Sequence, residues 1–421
     1  MTLTPELKYR LLLELSQRIS RTLDLQAVLH DLLQALRSAI AYDAAGVFVL
    51  NRAVPLMRRN DPNLIAGMLQ VGFDAAHADD PMLRSGKGIV GHVVHTGETV
   101  IAPDVRHDPR YVAGRRATLS ELAVPIVSEA GVIGCLNVES DRAGAFARED
   151  AELLEFFANA AAVSIEKALL HRQVLDKQRI EDQLRVAREV QSGLLPGAPP
   201  DLPGYDIAAV ALPTWAIGGD YYDYVSLGGG RLGFVVADVS GKGIPAALIM
   251  ATFRAALRTE MRRHADLGVV ATQLNRAVLE SGDASRFVTA VCGVLDAASG
   301  RLTYVNCGHN PPLLLRGSGG REGLERGGPA LGLFDEVTFE AGTAALGPGD
   351  RLVLYTDGVV EPTDEDDREF GTDRLEAAVR EAAGRPAAEA LRCVIEATRA
   401  FGRRDDYDDD FTLVVFQRDA G

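Results

Sequence analysis

The chain has 421 residues, 47% of them hydrophobic and 24% charged, which is material for two globular domains and a connector, each domain with its own core. Its formal charge of -15 is uneven: residues 196–421 carry 34 acidic against 22 basic side chains, and residues 1–195 carry 25 against 22. This balance excludes a phosphate-backbone footprint, which needs clustered Lys and Arg, so no nucleic-acid partner is expected. No apolar run approaches the ~18 residues of a membrane span. Met1 to Glu6 lacks the basic start and apolar core of a signal peptide. Cys135, Cys292, Cys307 and Cys393 form no Cys-x-x-Cys pair, so neither zinc nor a disulfide framework is implied. A cytoplasmic protein with no membrane contact is the expectation.

In chain order, Leu11, Leu12, Leu15 and Ile19, then Leu25, Val28, Leu29, Leu32, Leu33 and Leu36, recur at helical spacing. Strand-like runs follow at Ala45–Leu50, Thr99–Ala102, Leu122–Val127 and Val132–Val138, bounded by turn residues as in an antiparallel sheet. His92 and His95 share a helix face without an evident third ligand and read as structural; Cys135, inside an apolar strand, reads as core. From Asp150 a helix runs through Leu153, Leu154, Phe157, Ala161, Ile165 and Leu169, and with no Pro or Gly before Gly193 it continues to about Leu195. Positions 180, 184, 187, 191 and 194 follow heptad spacing, with Gln191 the polar exception. A two-stranded coiled-coil seam, and hence a homodimer, is expected there; the alternative is a solvated single helix. Leu195-Pro196-Gly197-Ala198-Pro199-Pro200 breaks the pattern.

Beyond Pro200 the sequence predicts strands near 206–212, 232–237, 287–295, 301–306, 312–315, 351–356 and 411–416. Helices are expected near 245–263, 266–281, 372–383 and 386–402. Two stacked sheets with helices outside fit this count. Four aspartates, Asp220, Asp238, Asp357 and Asp409, fall where such apolar runs meet glycine-rich or acidic turns. Carboxylates on rigid strand ends can converge, and hard divalent cations such as Mg²⁺ and Mn²⁺ prefer oxygen ligands and keep several waters. Two such ions can share a water, lower its pKa and aim it at a phosphorus, so metal-assisted hydrolysis is the chemistry predicted. The glycines beside the ligands (Gly219, Gly241, Gly243, Gly358) are expected to allow positive φ and close backbone approach.

The motifs that carry a family resemblance occur in one order. Residues 10–170 resemble a GAF domain through Gly86-Lys87-Gly88-Ile89-Val90-Gly91-His92, Ile101-Ala102-Pro103-Asp104, Asp108-Pro109-Arg110-Tyr111 and Gly134-Cys135-Leu136-Asn137-Val138. Residues 185–418 resemble the PPM (protein phosphatase 2C-like) phosphatases of the sporulation protein E and sigma-regulator type. That likeness rests on Gly218-Gly219-Asp220-Tyr221-Tyr222-Asp223, Asp238-Val239-Ser240-Gly241-Lys242-Gly243, Asn306-Cys307-Gly308-His309-Asn310-Pro311-Pro312, Tyr355-Thr356-Asp357-Gly358 and Asp409-Asp410-Phe411-Thr412. The resemblance implies an α+β chain of two domains. A GAF-like antiparallel sheet with flanking helices (1–167) comes first, then a helical linker (168–195), then an α-β-β-α sandwich phosphatase (196–421). It implies a serine/threonine phosphatase holding two divalent cations, Mn²⁺ or Mg²⁺. Asp220 and Asp238 are the catalytic metal ligands, the Val239 carbonyl is a further oxygen, and Asp357 and Asp409 complete the set. The implied substrate is a phosphorylated regulatory protein such as an anti-sigma-factor antagonist, with an unknown small ligand or protein signal at the GAF domain.

Asp223 and Asp410 are either partners that orient the ligands or solvated neighbours, and Lys242 either reaches a substrate phosphate or only solubilises its turn. His309 and Asn310 read as structural. A nucleotide cyclase built on a Gly-Gly-Asp motif is the weaker enzyme reading, because Tyr221-Tyr222 stands where its second carboxylate is needed. A Walker-type site fails for lack of its glycine and Ser/Thr. The remaining alternative is a catalytically silent scaffold, which four intact aspartates oppose.

Overall fold

The helical stripe at Leu25–Arg37 forms α1 (Leu25–Arg37), burying Leu25, Val28, Leu29, Leu32, Leu33 and Leu36, with the Asp24 carboxylate accepting from Ala27 N at 2.8 Å as its N-cap. The structure, a computed structural model, describes residues 10, 13, 17, 21–51, 65–73, 87–129, 131–214, 217–281, 286–403, 407 and 409–420. The helix expected around Leu11, Leu12, Leu15 and Ile19 lies outside the described residues, as do Gly86 and Ala130 of the GAF-like motifs and hairpin. Residue contacts divide the chain into two units, Met1–Arg179 and Ile180–Gly421.

In the first unit, β1 (Ala44–Leu50), β2 (Ile65–Val71), α2 (Gly88–Thr96), β3 (Val100–Ala102), β4 (Ser120–Ser128) and β5 (Gly131–Ser140) follow α1, and α3 (Arg148–Ser192) closes it. The antiparallel sheet has the order β2-β1-β5-β4-β3. Strand periodicity sends Val47, Val49, Val124 and Leu136 to one face, against α1 and the first half of α3 (Leu154, Phe157, Ile165). It sends Phe48, Ala123 and Cys135 to the other, against Ile89, Val93 and Val94 of α2. Both faces are covered, so the strands read as nearly continuous apolar runs. Cys135 is core, as expected, and His92 and His95 stay on the more open side of α2.

The second unit begins with β6 (Tyr205–Leu212), β7 (Tyr221–Ser226), β8 (Arg231–Val239), α4 (Ile244–Arg263) and α5 (Leu267–Leu279). It continues through β9 (Val288–Asp296), β10 (Arg301–Cys307), β11 (Leu313–Leu315), β12 (Arg321–Gly323), β13 (Gly327–Gly328), β14 (Gly342–Ala345) and β15 (Arg351–Tyr355). α6 (Gly371–Glu381), α7 (Ala387–Gly402) and β16 (Phe411–Arg418) complete it. One sheet runs β13-β10-β9-β8-β7 with β14 on β10; the other runs β12-β11-β15-β16-β6. Between the sheets lie Phe234, Val291, Leu302, Leu352, Leu354 and Phe416, with the Phe234 and Phe416 rings 4.9 Å apart. Each such buried side chain contributes roughly 1.5–3 kcal/mol. The opposite faces bury Val235 and Cys292 under α4 and α5 and Val353 and Val415 under α6 and α7. The result is the α-β-β-α sandwich that the alternation of runs predicts. Cys135, Cys292 and Cys307 are all buried, and burial pushes each thiol up, that of Cys292 to about 12.

Beyond Ala168 the side chains of α3 turn outward, and Leu170, Val174, Ile180, Val186 and Val190 are exposed. At its end the expected seam positions 191 and 194 face their own domain. Leu194 packs on the core under α4 and α5, and its carbonyl accepts from Arg254 Nε at 2.8 Å.

Candidate metal centre

Antiparallel pairing places the acidic motifs at one end of each sheet. Asp220 immediately precedes β7, Asp238 is the second-last residue of its neighbour β8, Asp357 follows β15 after Thr356, and Asp409 stands just before β16. Two glycines let the loops meet. A Cβ at Gly219 would come within 2.8 Å of the Val239 carbonyl and 3.3 Å of Asp238 Oδ1, and one at Gly358 would collide with the Asp410 carbonyl. These two serve close approach, whereas Gly241 and Gly243 have the positive φ (89° and 78°) that a side chain resists.

The carboxylates share one electrostatic neighbourhood. Burial, then the charge of Asp238, raises the Asp220 carboxyl well above its ordinary range. Burial, then Asp357 and Asp409, pushes Asp238 up to about 7, and burial followed by Asp409 raises Asp357. Among the described residues, however, no three acidic, His or Cys side chains close into a ready metal cage. Three of the four carboxylates instead meet nearby donors. Thr356 Oγ1 donates to Asp220 Oδ2 at 2.7 Å, Gly358 N donates to Asp357 Oδ1 at 2.8 Å, and Lys242 Nζ pairs with Asp409 Oδ2 at 3.0 Å. Both members of that last pair are more than two-fifths exposed (44% and 43%), so it is weak and easily exchanged. The donor set is all oxygen. That chemistry fits a hard divalent cation and offers nothing for a soft one.

Asp410 and Asp223, left open by the sequence, now separate. Asp410 is buried and accepts from Gly219 N at 2.7 Å and Thr214 N at 2.9 Å, holding the Gly-Gly-Asp loop in place. Asp223 points to the helix side, where it accepts from Tyr221 OH at 2.5 Å and Arg258 Nη1 at 2.6 Å and ties β7 to α4. His309 is buried between Thr289 Oγ1 at 2.8 Å and the Tyr355 carbonyl at 3.0 Å. Nε2 donates to that carbonyl and Nδ1 accepts, and burial pulls the ring down to about 4, so it is a neutral structural tie. Asn306 supports it by accepting from His309 N at 2.8 Å. One contact went unnoticed in the sequence: Gln191, at the end of α3, donates to the Gly218 carbonyl at 2.7 Å and accepts from Gly218 N at 3.2 Å. Its signal was the single polar residue in an otherwise apolar heptad series.

An antiparallel two-sheet sandwich with helices outside and a nest of half-buried carboxylates at the sheet ends is the arrangement of the class of metal-dependent protein serine/threonine phosphatases. Residues 228–419 match the family model for stage II sporulation protein E (SpoIIE), and residues 24–165 match that for the GAF domain. The chain is 30% identical over 245 residues to the phosphoserine phosphatase RsbU of Bacillus subtilis, covering 58% of this chain and 72% of that protein. It is 33% identical over 237 residues to the protein IcfG of Synechocystis sp., covering 50% of this chain but 37% of that longer protein. The SiaA-PP2C domain of Pseudomonas aeruginosa superposes with a TM-score of 0.52 at 22% identity, over 58% of this chain and 99% of that domain, a likeness of fold. The chain belongs to the SpoIIE-type, PP2C-like serine/threonine phosphatase family, with a GAF domain ahead of its phosphatase domain. No helix among the described residues is long and apolar enough to cross a membrane.

Proposed function

We propose that the chain removes phosphate from a phosphoserine or phosphothreonine of a regulatory protein, such as an anti-sigma-factor antagonist, under control of its GAF domain. The observation that carries this reading is the electrostatic coupling of Asp220, Asp238, Asp357 and Asp409 at one end of the sandwich. The phosphoserine phosphatases RsbU and RsbP of B. subtilis, 30% and 31% identical over the aligned residues, support the substrate class. Asp220, Asp238, the Val239 carbonyl, Asp357 and Asp409 would hold two divalent cations, Mn²⁺ or Mg²⁺. When bound, these supply charge stabilisation for the phosphoryl group and a reactive water at neutral pH. The chain's own residues position that chemistry. Thr356 fixes the Asp220 carboxylate, Asp410 fixes the loop that carries Asp220, and Lys242 holds a positive charge beside Asp409, where a substrate phosphate would approach.

Regulation would pass along α3, which is uninterrupted from Arg148 to Ser192 and ends in the Gln191 bonds to the loop that carries Asp220. The heptad positions Ile180, Leu184 and Ala187 of α3 are the stripe on which two copies would pair as a homodimer. The test is phosphate release from a phosphoserine protein by the full chain with and without Mn²⁺, for the parent and for chains with a few residues inserted near Lys177. Activity that needs metal and changes its regulation with the insertion is the expected result. Inactivity with either metal on several phosphoproteins would favour the scaffold reading, and regulation untouched by the insertion would make α3 a tether.

A further inference from the structure

The GAF domain holds a second set of buried acids that the phosphatase chemistry does not use. Glu121 on β4 pairs directly across from Glu139 on β5, and the two are 3% and 4% exposed. Directly opposed like charges in a sheet are unfavourable. Burial and the Glu139 charge push Glu121 up to about 8, and burial raises Glu139 against the Thr118 hydroxyl that bonds it at 2.5 Å. Among the described residues neither carboxyl forms an ion pair: the charge of nearby Arg115 lowers Glu139, but its guanidinium bonds Asp141.

Beside them, Asn137, 2% exposed, donates its amide N–H to Glu121 at 3.0 Å. Its Oδ1, and the Oε1 of Gln70, are buried with no hydrogen-bond partner. Asn137 Oδ1 lies over Gly46, where a Cβ would come within 2.6 Å of it, so the absent side chain leaves that face open. These groups line one cavity together with Phe48 and Phe73. Its enclosed volume is about 20 Å³, room for a single water-sized group. Apart from Lys87 at the mouth, the polar side chains of the cavity offer carboxyl and orphaned amide oxygens, acceptors that, once the carboxyls ionise, complement an ammonium group with its three N–H donors and no acceptor.

We propose that this cavity binds the protonated amino head of a small metabolite, with Glu121, Glu139 and the free oxygens of Asn137 and Gln70 as its acceptors. The proposal rests on the sensor role given above to the GAF domain and names the chemistry of its ligand. Simple amines and free amino acids both carry that head. They differ at the mouth of the cavity, where Lys87 to Val90 form the first turn of α2 and Lys87 provides no side-chain cap, a place suited to a carboxylate.

Direct binding to the full chain, by titration calorimetry and thermal unfolding at pH 7 and constant ionic strength, tests this without using phosphatase activity. The probes are methylamine and ethanolamine, the free L-amino acids, acetamide and acetate as matched compounds lacking the amine, and calcium chloride. The expected result is binding of at least one amine-bearing probe with a Kd below ~1 mM. Binding should release protons, seen as a heat that varies with the buffer, because carboxyls protonated at pH 7 ionise against the ammonium. In the Glu121→Gln chain the affinity should fall about 10-fold or more, with Glu139→Gln as a second variant should the first not fold. Amino acids binding above simple amines would place a carboxylate at α2, and equal binding would leave the amine as the whole recognised group. No binding by any amine or amino acid, equal binding of acetamide, calcium binding alone, or full affinity in the folded variants would overturn the proposal. Amine binding by a chain that releases no phosphate would instead overturn the phosphatase reading and leave this one standing.

Discussion

The chain buries acid twice, and the two nests differ in how they are built. In the sandwich, four short aspartates hang from strand ends on loops pressed together by Gly219 and Gly358, with Lys242 and Thr356 within bonding reach. In the GAF domain, two longer glutamates stand face to face, Glu121 second in β4 and Glu139 second from the end of β5, on a sheet covered on both sides. Partial exposure leaves the first nest open to highly charged guests and to solvent, whereas near-complete burial of Glu121 and Glu139 leaves room only for a small one. On the two proposals above, the same element of physics, carboxylate crowded away from water, would favour a divalent ion with its waters in one place and a single ammonium-sized group in the other.

The largest expected effect breaks the first nest alone. Asp238→Ala should lower metal-dependent phosphate release by about 100-fold or more. It should also abolish the stabilisation that Mn²⁺ gives the parent, about 2.7 kcal/mol at a hundredfold excess over its Kd; an unchanged melting shift would remove Asp238 from the site. Next comes the support beneath that nest. Arg258→Met strips the charged partner from buried Asp223 and should cost about 2–3 kcal/mol in urea unfolding, and a loss near zero would mean that Tyr221 suffices.

For the second nest the sign is opposite. The raised Glu121 carboxyl keeps in the folded chain a proton that the unfolded chain has already lost. Its contribution is therefore complete below pH 4.5 and disappears as the pH climbs to about 8. Glu121→Gln should flatten that decline and stabilise the chain at pH 7 by about 1–2 kcal/mol relative to the parent; a steeper decline would show the carboxylate to be compensated. The smallest effect concerns His309, held neutral at about 4 against an ordinary 6.5. Its contribution is present above pH 6.5 and falls as acid is added. A His309→Gln chain should lose less than the parent between pH 6.5 and 5, by about 1–2 kcal/mol.

Much of this architecture could be read from residue patterns. The apolar runs predicted β8, β9, β10, β15, β16 and all four outer helices to within a few residues, because each is long and buried on at least one side. β7 escaped, since Tyr221-Tyr222-Asp223-Tyr224 follows the Gly-Gly-Asp motif and reads as polar loop. In the fold Tyr224 enters the space between the sheets while Tyr221 and Asp223 bond each other on the helix side. β2 escaped because Gly67 and Gln70 dilute its alternation. Of the proposed site, the sheet-end positions of the four aspartates were legible from the turns beside them. The roles of Asp410 and Asp223 were not, because the two look alike in sequence and only tertiary packing decides which one faces the loop and which the helix. Glu121 and Glu139 gave no signal, as a charged residue at a strand position is ordinarily solvent-facing.

The burial of three of the four cysteines has a practical corollary. Thiol-directed dyes and spin probes will meet little background in the native chain, with half-buried Cys393 as its one semi-accessible thiol. A new cysteine at an exposed position of α3, such as Val174 or Val190, could therefore carry a label without first stripping out the native ones. Distances between labels on two copies would then reveal directly whether, and in which alignment, the long helices come side by side.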